Sequence, residues 1–576
     1  MKQTKYAQLC RIGLVSLVLL SASLGTSALA QHNPKRVALL VGVGDYKRPE
    51  MNLEGPPNDV AAMRDVLVRR WGFRAQDIKT LIDADATRAN ILDELSALSL
   101  RSSANDEILV YFSGHGTSAL DANLKAQLNI PLPHGSGAFV PADFKPEAGA
   151  AGLIVGRIDL VPVFSALEVA GRRLWVISDS CYSGQQVRSV QFEDSDELPV
   201  RMMPQLAAKV AVALRADLAL AEQAPAPDPY PYRATGFLAA STEGERARDI
   251  PQRMLSRTPT LDGKPHGAMT DALLRVMEGQ IPSDLDGDGL LSLNEVHRAT
   301  SDFMAQRAYG HSPMRLPSVA EDVQGLGNRP VLSMRGAALP SRNEALKPLR
   351  VRLVGVSESL RAAVTGVPDV QVVTDATSAD IMLLVSQKAP DRLGVIAASG
   401  DLLAGMPATD TARALAQIVQ LAWAQRLRGL AEKYRRGALQ VDMDPAVNGG
   451  NFVPGKKISF VVKPDKSATL VLLNINSEGK LGVLYPYAPS ESSPIAAGQA
   501  RHIPGTGDQR ITVTEPFGMD MQFVFAFDEP PPGLAGLHYL DSAAPDNPRL
   551  LAFERGLTAM AGKFTFATSN LRTLKP

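Results

Sequence analysis

Cysteine is nearly absent from this chain. Its 576 residues include two, Cys10 and Cys181. Cys10 lies ahead of an apolar run that is expected to be removed, so the processed protein would hold one thiol and could form no internal disulfide. Long apolar stretches are scarce as well. The run from Ile12 to Leu24 is too short to span a bilayer. With Lys2, Lys5 and Arg11 before it and Ala28-Leu29-Ala30 after it, residues 1–30 read as a secretory signal, and the mature chain is expected to begin near Gln31. Net charge is lacking too. Basic and acidic residues number 60 each, and loss of the leader takes three basic residues and leaves the formal charge at about minus three. No basic patch points to nucleic acid. The expectation is a secreted or periplasmic protein with no membrane span once the leader is gone.

What the chain does have is organised around Leu174 to Gly184, LWVISDSCYSG, which carries Cys181. A short apolar run breaks into small polar residues, as a buried strand does where it delivers its tip to a loop. Glu107 to Phe112 has the same shape and ends in Ser113-Gly114-His115-Gly116. Open parallel sheets gather reactive groups at the carboxyl ends of their strands, so a thiol at one tip and an imidazole at another suit a nucleophile and its base. Taken singly, Cys181 could be an inert core residue and His115 a hydrogen-bonded surface residue. Together, with a thiol that has no disulfide partner, they favour chemistry.

The flanking pattern is strand, helix, strand. Arg36 to Val43 is a continuous apolar strand, and a helix over 58–71 puts Val60, Met63, Val66 and Leu67 on one face. The alternation continues through 91–100, the His115 strand, 158–170 and the Cys181 strand. It predicts an α/β fold with a mainly parallel sheet and helices on both faces.

FSGHG and DSCYSG, in that order, resemble the His and Cys signatures of caspase-like peptidases, and metacaspases with their bacterial relatives more than animal caspases. The resemblance runs from about residue 35 to 310. It takes in RVALLVGVGDY, LEGPPNDVAAMRDVL, GFLAAS and HGAMTDALLRVMEG, whose helix start has Met269 where the family has Phe. It implies a Cys181–His115 dyad with the backbone N–H groups of Gly116 and Cys181 as oxyanion donors. A tight turn is the plainer account of Gly114 and Gly116.

Asp179, two residues before the nucleophile, emerges from the same strand end, where a carboxylate would attract Arg or Lys and repel Asp. The resemblance gives Asp179 this part and adds Asp59 and Ser113 as substrate-binding residues. It therefore implies protein or peptide substrates cut after basic residues. Asp179 could instead cap the strand end, and Asp59 could be a helix N-terminal carboxylate. Tyr182 stands where metacaspases usually have histidine, which leaves the dyad intact and alters the pocket wall. The stretch 185–232, with its acidic cluster at 193–197, reads as an exposed connection. The resemblance implies self-processing sites in this segment, for which Arg188, Arg201, Lys209 or Arg215 are the candidate basic cut points.

DLDGDGLLSLNE at 284–295 fits a twelve-residue calcium loop. Asp284, Asp286 and Asp288 take positions 1, 3 and 5; Gly289 makes the turn; the Leu290 carbonyl, Ser292 and Glu295 complete the shell. An acidic turn with an N-cap is the alternative. One such loop points to a structural Ca2+ rather than a sensor.

The peptidase-like region is expected to end near 320, followed by a linker over 321–348, a small α/β unit at 349–435 and a β-rich domain at 436–576. LLNINSEGKLGVLYP resembles a domain of unknown function found behind bacterial caspase-like domains, with a hairpin turn at Ser477-Glu478-Gly479. Two functions are carried forward: a cysteine endopeptidase, and a catalytically silent caspase-like scaffold that binds partners through its carboxyl-terminal domains.

Overall fold

A computed structural model describes residues 34–117, 137–181, 230–241, 247–331, 346–436, 441–447, 454–504, 511–516 and 519–573, apart from single positions and short gaps within these spans. The leader, Tyr182, the acidic cluster at 193–197 and the four basic cut points lie outside the described residues. Arg36–Pro576 form one unit by their internal contacts.

The chain enters through β1 (Arg36–Gly42), α1 (Gly55–Arg70), β2 (Ile78–Ile82), α2 (Arg88–Arg101) and β3 (Glu107–Ser113). Next come α3 (Val161–Val169), β4 (Arg173–Asp179) and β5 (Thr235–Ala239). A two-stranded ribbon, β6 (Asp249–Ile250) and β7 (His266–Gly267), leads into α4 (Ala268–Met277), α5 (Leu293–Gln306) and β8 (Met314–Leu316). The main sheet has the order β8-β5-β4-β3-β1-β2. All its neighbours are parallel except β8, which runs antiparallel to β5.

Both faces of this sheet are covered, which is why its strands read as unbroken apolar runs. Ala38, Leu40, Leu109, Tyr111, Trp175 and Ile177 point to one face with α1, α4 and α5. Val37, Leu39, Val41, Ile108, Val110 and Val176 point to the other with α2 and α3. The face of α1 predicted from periodicity is the buried one: Val60, Met63, Val66 and Leu67 are fully enclosed. The helix starts three residues earlier than that periodicity indicated. Pro56 and Pro57 sit in the first turn, where a missing N–H costs nothing, and Asp249 receives the N–H groups of Glu54 and Gly55 at 3.2 and 3.3 Å.

Strand order reverses at β1, so the carboxyl ends of β1, β3 and β4 face one crevice. Ser113 at the end of β3 stands opposite Asp179 at the end of β4. His115 and Cys181 each follow two residues later.

Beyond the peptidase-like region, a five-stranded sheet over 349–407 packs on the helix Thr411–Tyr434 through Ala414, Ile418 and Ala422. Later positions of the same helix, Trp423, Leu427 and Ala431, belong to a second core with Val471, Phe523 and Phe525. That core lies under the antiparallel sheet of Leu481–Tyr485, Thr469–Ile475, Met519–Phe527 and Phe564–Arg572. Its last strand meets α5: the Thr568 hydroxyl donates to Asp302 at 2.9 Å and Asn570 Nδ2 to the Ala305 carbonyl at 3.3 Å. Among the described residues no helix is long and apolar enough to cross a membrane.

Candidate active site

His115 is held from three sides. Its Nε2 lies 2.7 Å from the Met51 carbonyl. A carbonyl only accepts, so Nε2 carries the proton and neutral His115 has its lone pair on Nδ1. Its backbone N–H donates to the Tyr46 hydroxyl at 2.8 Å, and the two rings stand 5.0 Å apart. Gly114 is what lets the chain turn here: its φ is +151°, and a Cβ would lie 2.9 Å from the Tyr46 hydroxyl. Tyr46 closes the GDY that ends the first strand segment. Its role could not be read there because the contact spans 69 positions.

Cys181 follows β4, whose tip lies against that of β3: the Gly114 N–H donates to the Asp179 carbonyl at 3.3 Å. Gly116 lies so close to the Cys181 backbone that a Cβ on it would sit 2.0 Å from the Cys181 carbonyl oxygen. The two strand tips are thus in contact, and both glycines do more than make a turn. The thiol itself is fully buried. It receives the Ala247 N–H at 3.1 Å and faces the Ala247 carbonyl at 3.6 Å.

Asp179 and Ser113 close the same strand ends, and α1 brings Asp59 to them. All three are fully buried. Asp179 Oδ2 accepts the N–H of Thr270 at 2.9 Å and its hydroxyl at 2.6 Å, at the N-terminus of α4, where a carboxylate is favoured. Because the Thr270 hydroxyl donates to Asp179, the Tyr111 hydroxyl 2.6 Å away must donate to Thr270.

Asp59 is tied differently. Oδ2 accepts from Ser113 Oγ at 2.6 Å, while Oδ1 accepts from His266 Nδ1 at 2.8 Å and the Gly267 N–H at 3.1 Å. His266 Nε2 meets Asp262 Oδ1 at 2.9 Å. With a carboxylate on each ring nitrogen, His266 is an imidazolium. Burial works against its charge, but the hydrogen bond to Asp59 and the charges of Asp59 and Asp262 outweigh that and raise its pKa to about 9. Asp59 therefore does not serve as the N-terminal carboxylate of α1; Asp249 does. His266 and Thr270 both lie in HGAMTD, a stretch whose helix start was legible while its two polar contacts were not.

In the acidic loop, the carboxylates of Asp284, Asp286 and Glu295 converge, with one oxygen from each within 4.8 Å of the others. Asp288 is not in that group; its Oδ1 accepts the Leu290 N–H at 2.7 Å. Gly287 and Gly289 adopt positive φ, +79° and +82°. Ser292 and Glu295 form a capping box at the start of α5. Burial, and the neighbouring acids Asp288 and Asp284, raise the pKa of Asp286; burial and Asp286 raise that of Glu295. Hard oxygen donors that repel one another in a glycine-turned loop fit a divalent cation of the calcium type.

A mainly parallel sheet that brings a histidine and a cysteine to adjacent strand ends is the arrangement expected of a caspase-like domain. Residues 35–189 match the family described as "Metacaspase, peptidase C14 domain". Residues 451–530 match a domain of unknown function, DUF4384. Metacaspase-1 of Schizosaccharomyces pombe is 30% identical over 156 residues, covering 26% of this chain and 34% of that protein. Metacaspase-6 of Arabidopsis thaliana is 34% identical over 158 residues, covering 26% of this chain and 38% of that one. The chain thus spans little more than a third of these relatives. A crystal structure of caspase-1 from Spodoptera frugiperda aligns at 10% identity and a TM-score of 0.29, covering 49% of this chain and 86% of that one.

Proposed function

We propose that this protein is an endopeptidase that hydrolyses peptide bonds after Arg or Lys through Cys181 and His115. The observation that carries the reading is the register of β3 on β4, which sets the two strand tips side by side with Gly116 against Cys181. His115 Nδ1 takes the thiol proton as sulfur bonds to the substrate carbonyl carbon, and the oxyanion is met by the N–H groups of Gly116 and Cys181. The imidazolium then returns the proton to the departing amine, leaving a thioester. A water, deprotonated by the same nitrogen, hydrolyses it and releases the sulfur. Asp179 receives the basic side chain, with Asp59 and Ser113 behind it. Ala247 has to withdraw from the thiol before a substrate carbonyl can take its place.

The domain family acts on proteins, so the test is a set of fluorogenic peptides ending in Arg, Lys or Asp, assayed with calcium and with chelator. Hydrolysis of the first two and not the third is expected. The burial of Cys181 under Ala247 is what favours the silent-scaffold reading, and no turnover of any peptide in either condition would leave that reading alone. Export through residues 1–30 and a periplasmic or secreted location belong to the same proposal; the processed protein should begin near Gln31 on terminal sequencing.

Gly116→Ala is expected to lower kcat/KM about tenfold or more. A Cβ has nowhere to go without pushing the Cys181 carbonyl away, and small overpacking shifts cost about 1–3 kcal/mol. Melting temperature measured beside kinetics separates a displaced tip from a lost fold.

Asp284, Asp286 and Glu295, with Asp288, the Leu290 carbonyl and Ser292, would hold Ca2+, which there would neutralise clustered carboxylates at the start of α5. Calcium at about a hundred times its Kd should raise stability by about 2.7 kcal/mol. The rise should vanish in Glu295→Gln, whose amide loses the charge and can accept on one side only, where Oε1 now takes the Leu285 N–H and Oε2 the Ser292 N–H; an equal rise in both proteins would remove the ion from this loop.

A further inference from the structure

The segment that enters α4 treats the two pocket carboxylates differently. Thr270 gives Asp179 a neutral N–H and a hydroxyl. Four residues earlier His266 gives Asp59 a charged N–H, and Gly267 adds a second donor. With Ser113 on its other oxygen, Asp59 is saturated by its own chain. His266 is fully buried, and no step of the hydrolysis above uses it.

We infer that His266 sets the charge of the pocket that receives the substrate's basic residue, by holding Asp59 in an internal ion pair and so cancelling one of its two carboxylates. It is a positioning residue, acting through Asp59. The inference rests on the assignment of Asp179 and Asp59 to that pocket.

The charged groups around His266 come from every element packed against it. Asp59 comes from α1. Asp262 comes from the turn before β7, with Lys264 4.0 Å from its second oxygen. Asp249 on β6, opposite Gly267, is turned to the N-terminus of α1. Asp271 on α4 takes the Leu261 N–H and pairs with Arg275 at 3.0 Å. Asp179 comes from the end of β4, and the uncharged Ser113 donates to Asp59 from the end of β3. Losing the His266 proton adds one negative charge to this set, so cation binding strengthens as pH rises through its pKa of about 9. The guanidinium of a bound arginine keeps its charge throughout that range, so the change belongs to the protein.

The test compares wild type with His266→Gln on an Arg-ending and a neutral-ending peptide between pH 6 and 10. At neutral pH the variant should show a KM for the Arg peptide about tenfold lower, the size of one unit charge acting at several ångströms inside a protein, with kcat and the neutral peptide little changed. Wild-type KM should fall toward the variant's value above pH 9, while the variant stays flat. A folded variant with the wild-type KM and pH profile overturns the inference. Should His266→Gln fail to fold, imidazole NMR decides: the His266 titration must move to lower pH in Asp59→Asn, and a titration unmoved by that change overturns it. Benzamidine binding to the Cys181→Ala protein, measured by calorimetry, needs no chemistry. Tighter binding when His266→Gln is added supports the inference. Absence of benzamidine binding at every pH, together with no Arg turnover, overturns the pocket assignment itself.

Discussion

Cys181→Ala is expected to lower hydrolysis of Arg- and Lys-ending peptides by about 10³-fold or more, because no other group at these strand ends can form the thioester. The fold should survive. The sulfur is a small member of the core cluster on the α1 and α4 face, and it hydrogen-bonds with the Ala247 backbone. Its loss should cost about 1 kcal/mol, within the ordinary range of single substitutions. Steady-state kinetics and a thermal melt on one preparation separate the two effects. Alkylation gives a second readout: in native wild type Cys181 should react slowly with iodoacetamide, since it is fully enclosed, and faster in whatever condition supports turnover. Equal turnover by mutant and wild type would assign any observed peptidase activity elsewhere and return the chain to the scaffold reading.

Asp179→Asn should lower kcat/KM for basic peptides by about 10²-fold, the usual consequence of removing one partner of a desolvated charge pair. The substitution is nearly isosteric. An amide oxygen can still accept the Thr270 N–H and hydroxyl that Oδ2 accepts now, so α4 keeps its anchor while the pocket loses its charge. The loss should therefore fall on KM for Arg and Lys and spare neutral peptides. A uniform drop across all peptides, with a lower melting temperature, would make Asp179 an anchor of α4 and nothing more. Asp59→Asn is a poorer probe, because it also strands the His266 imidazolium.

Much of this could be read along the chain. Val60, Met63, Val66 and Leu67 declare the inner face of α1 by helical spacing, and the strands to His115 and Cys181 declare themselves as apolar runs ending in small polar residues. The acidic loop is legible because the carboxylates that converge in it, Asp284, Asp286 and Glu295, lie within twelve positions. The hairpin of Arg392–Ala397 and Leu402–Pro407 is not legible in this way, since its Gly and Ala residues carry little strand signal; pairing with Ile381–Val385 makes the first of these a strand. The helix Thr411–Tyr434 was legible as a helix, but not as one shared between two cores.

Local order of residues decided which elements form, which faces they bury and which tips carry sulfur and imidazole, because periodicity and turn chemistry act over a few positions. Tertiary structure alone decided that Ala247 covers the thiol from 66 positions away and that His266 neutralises Asp59 from 207 positions away. Those contacts follow from how the ribbon before α4 packs across the strand ends, and close packing of distant segments leaves no periodic trace in either of them.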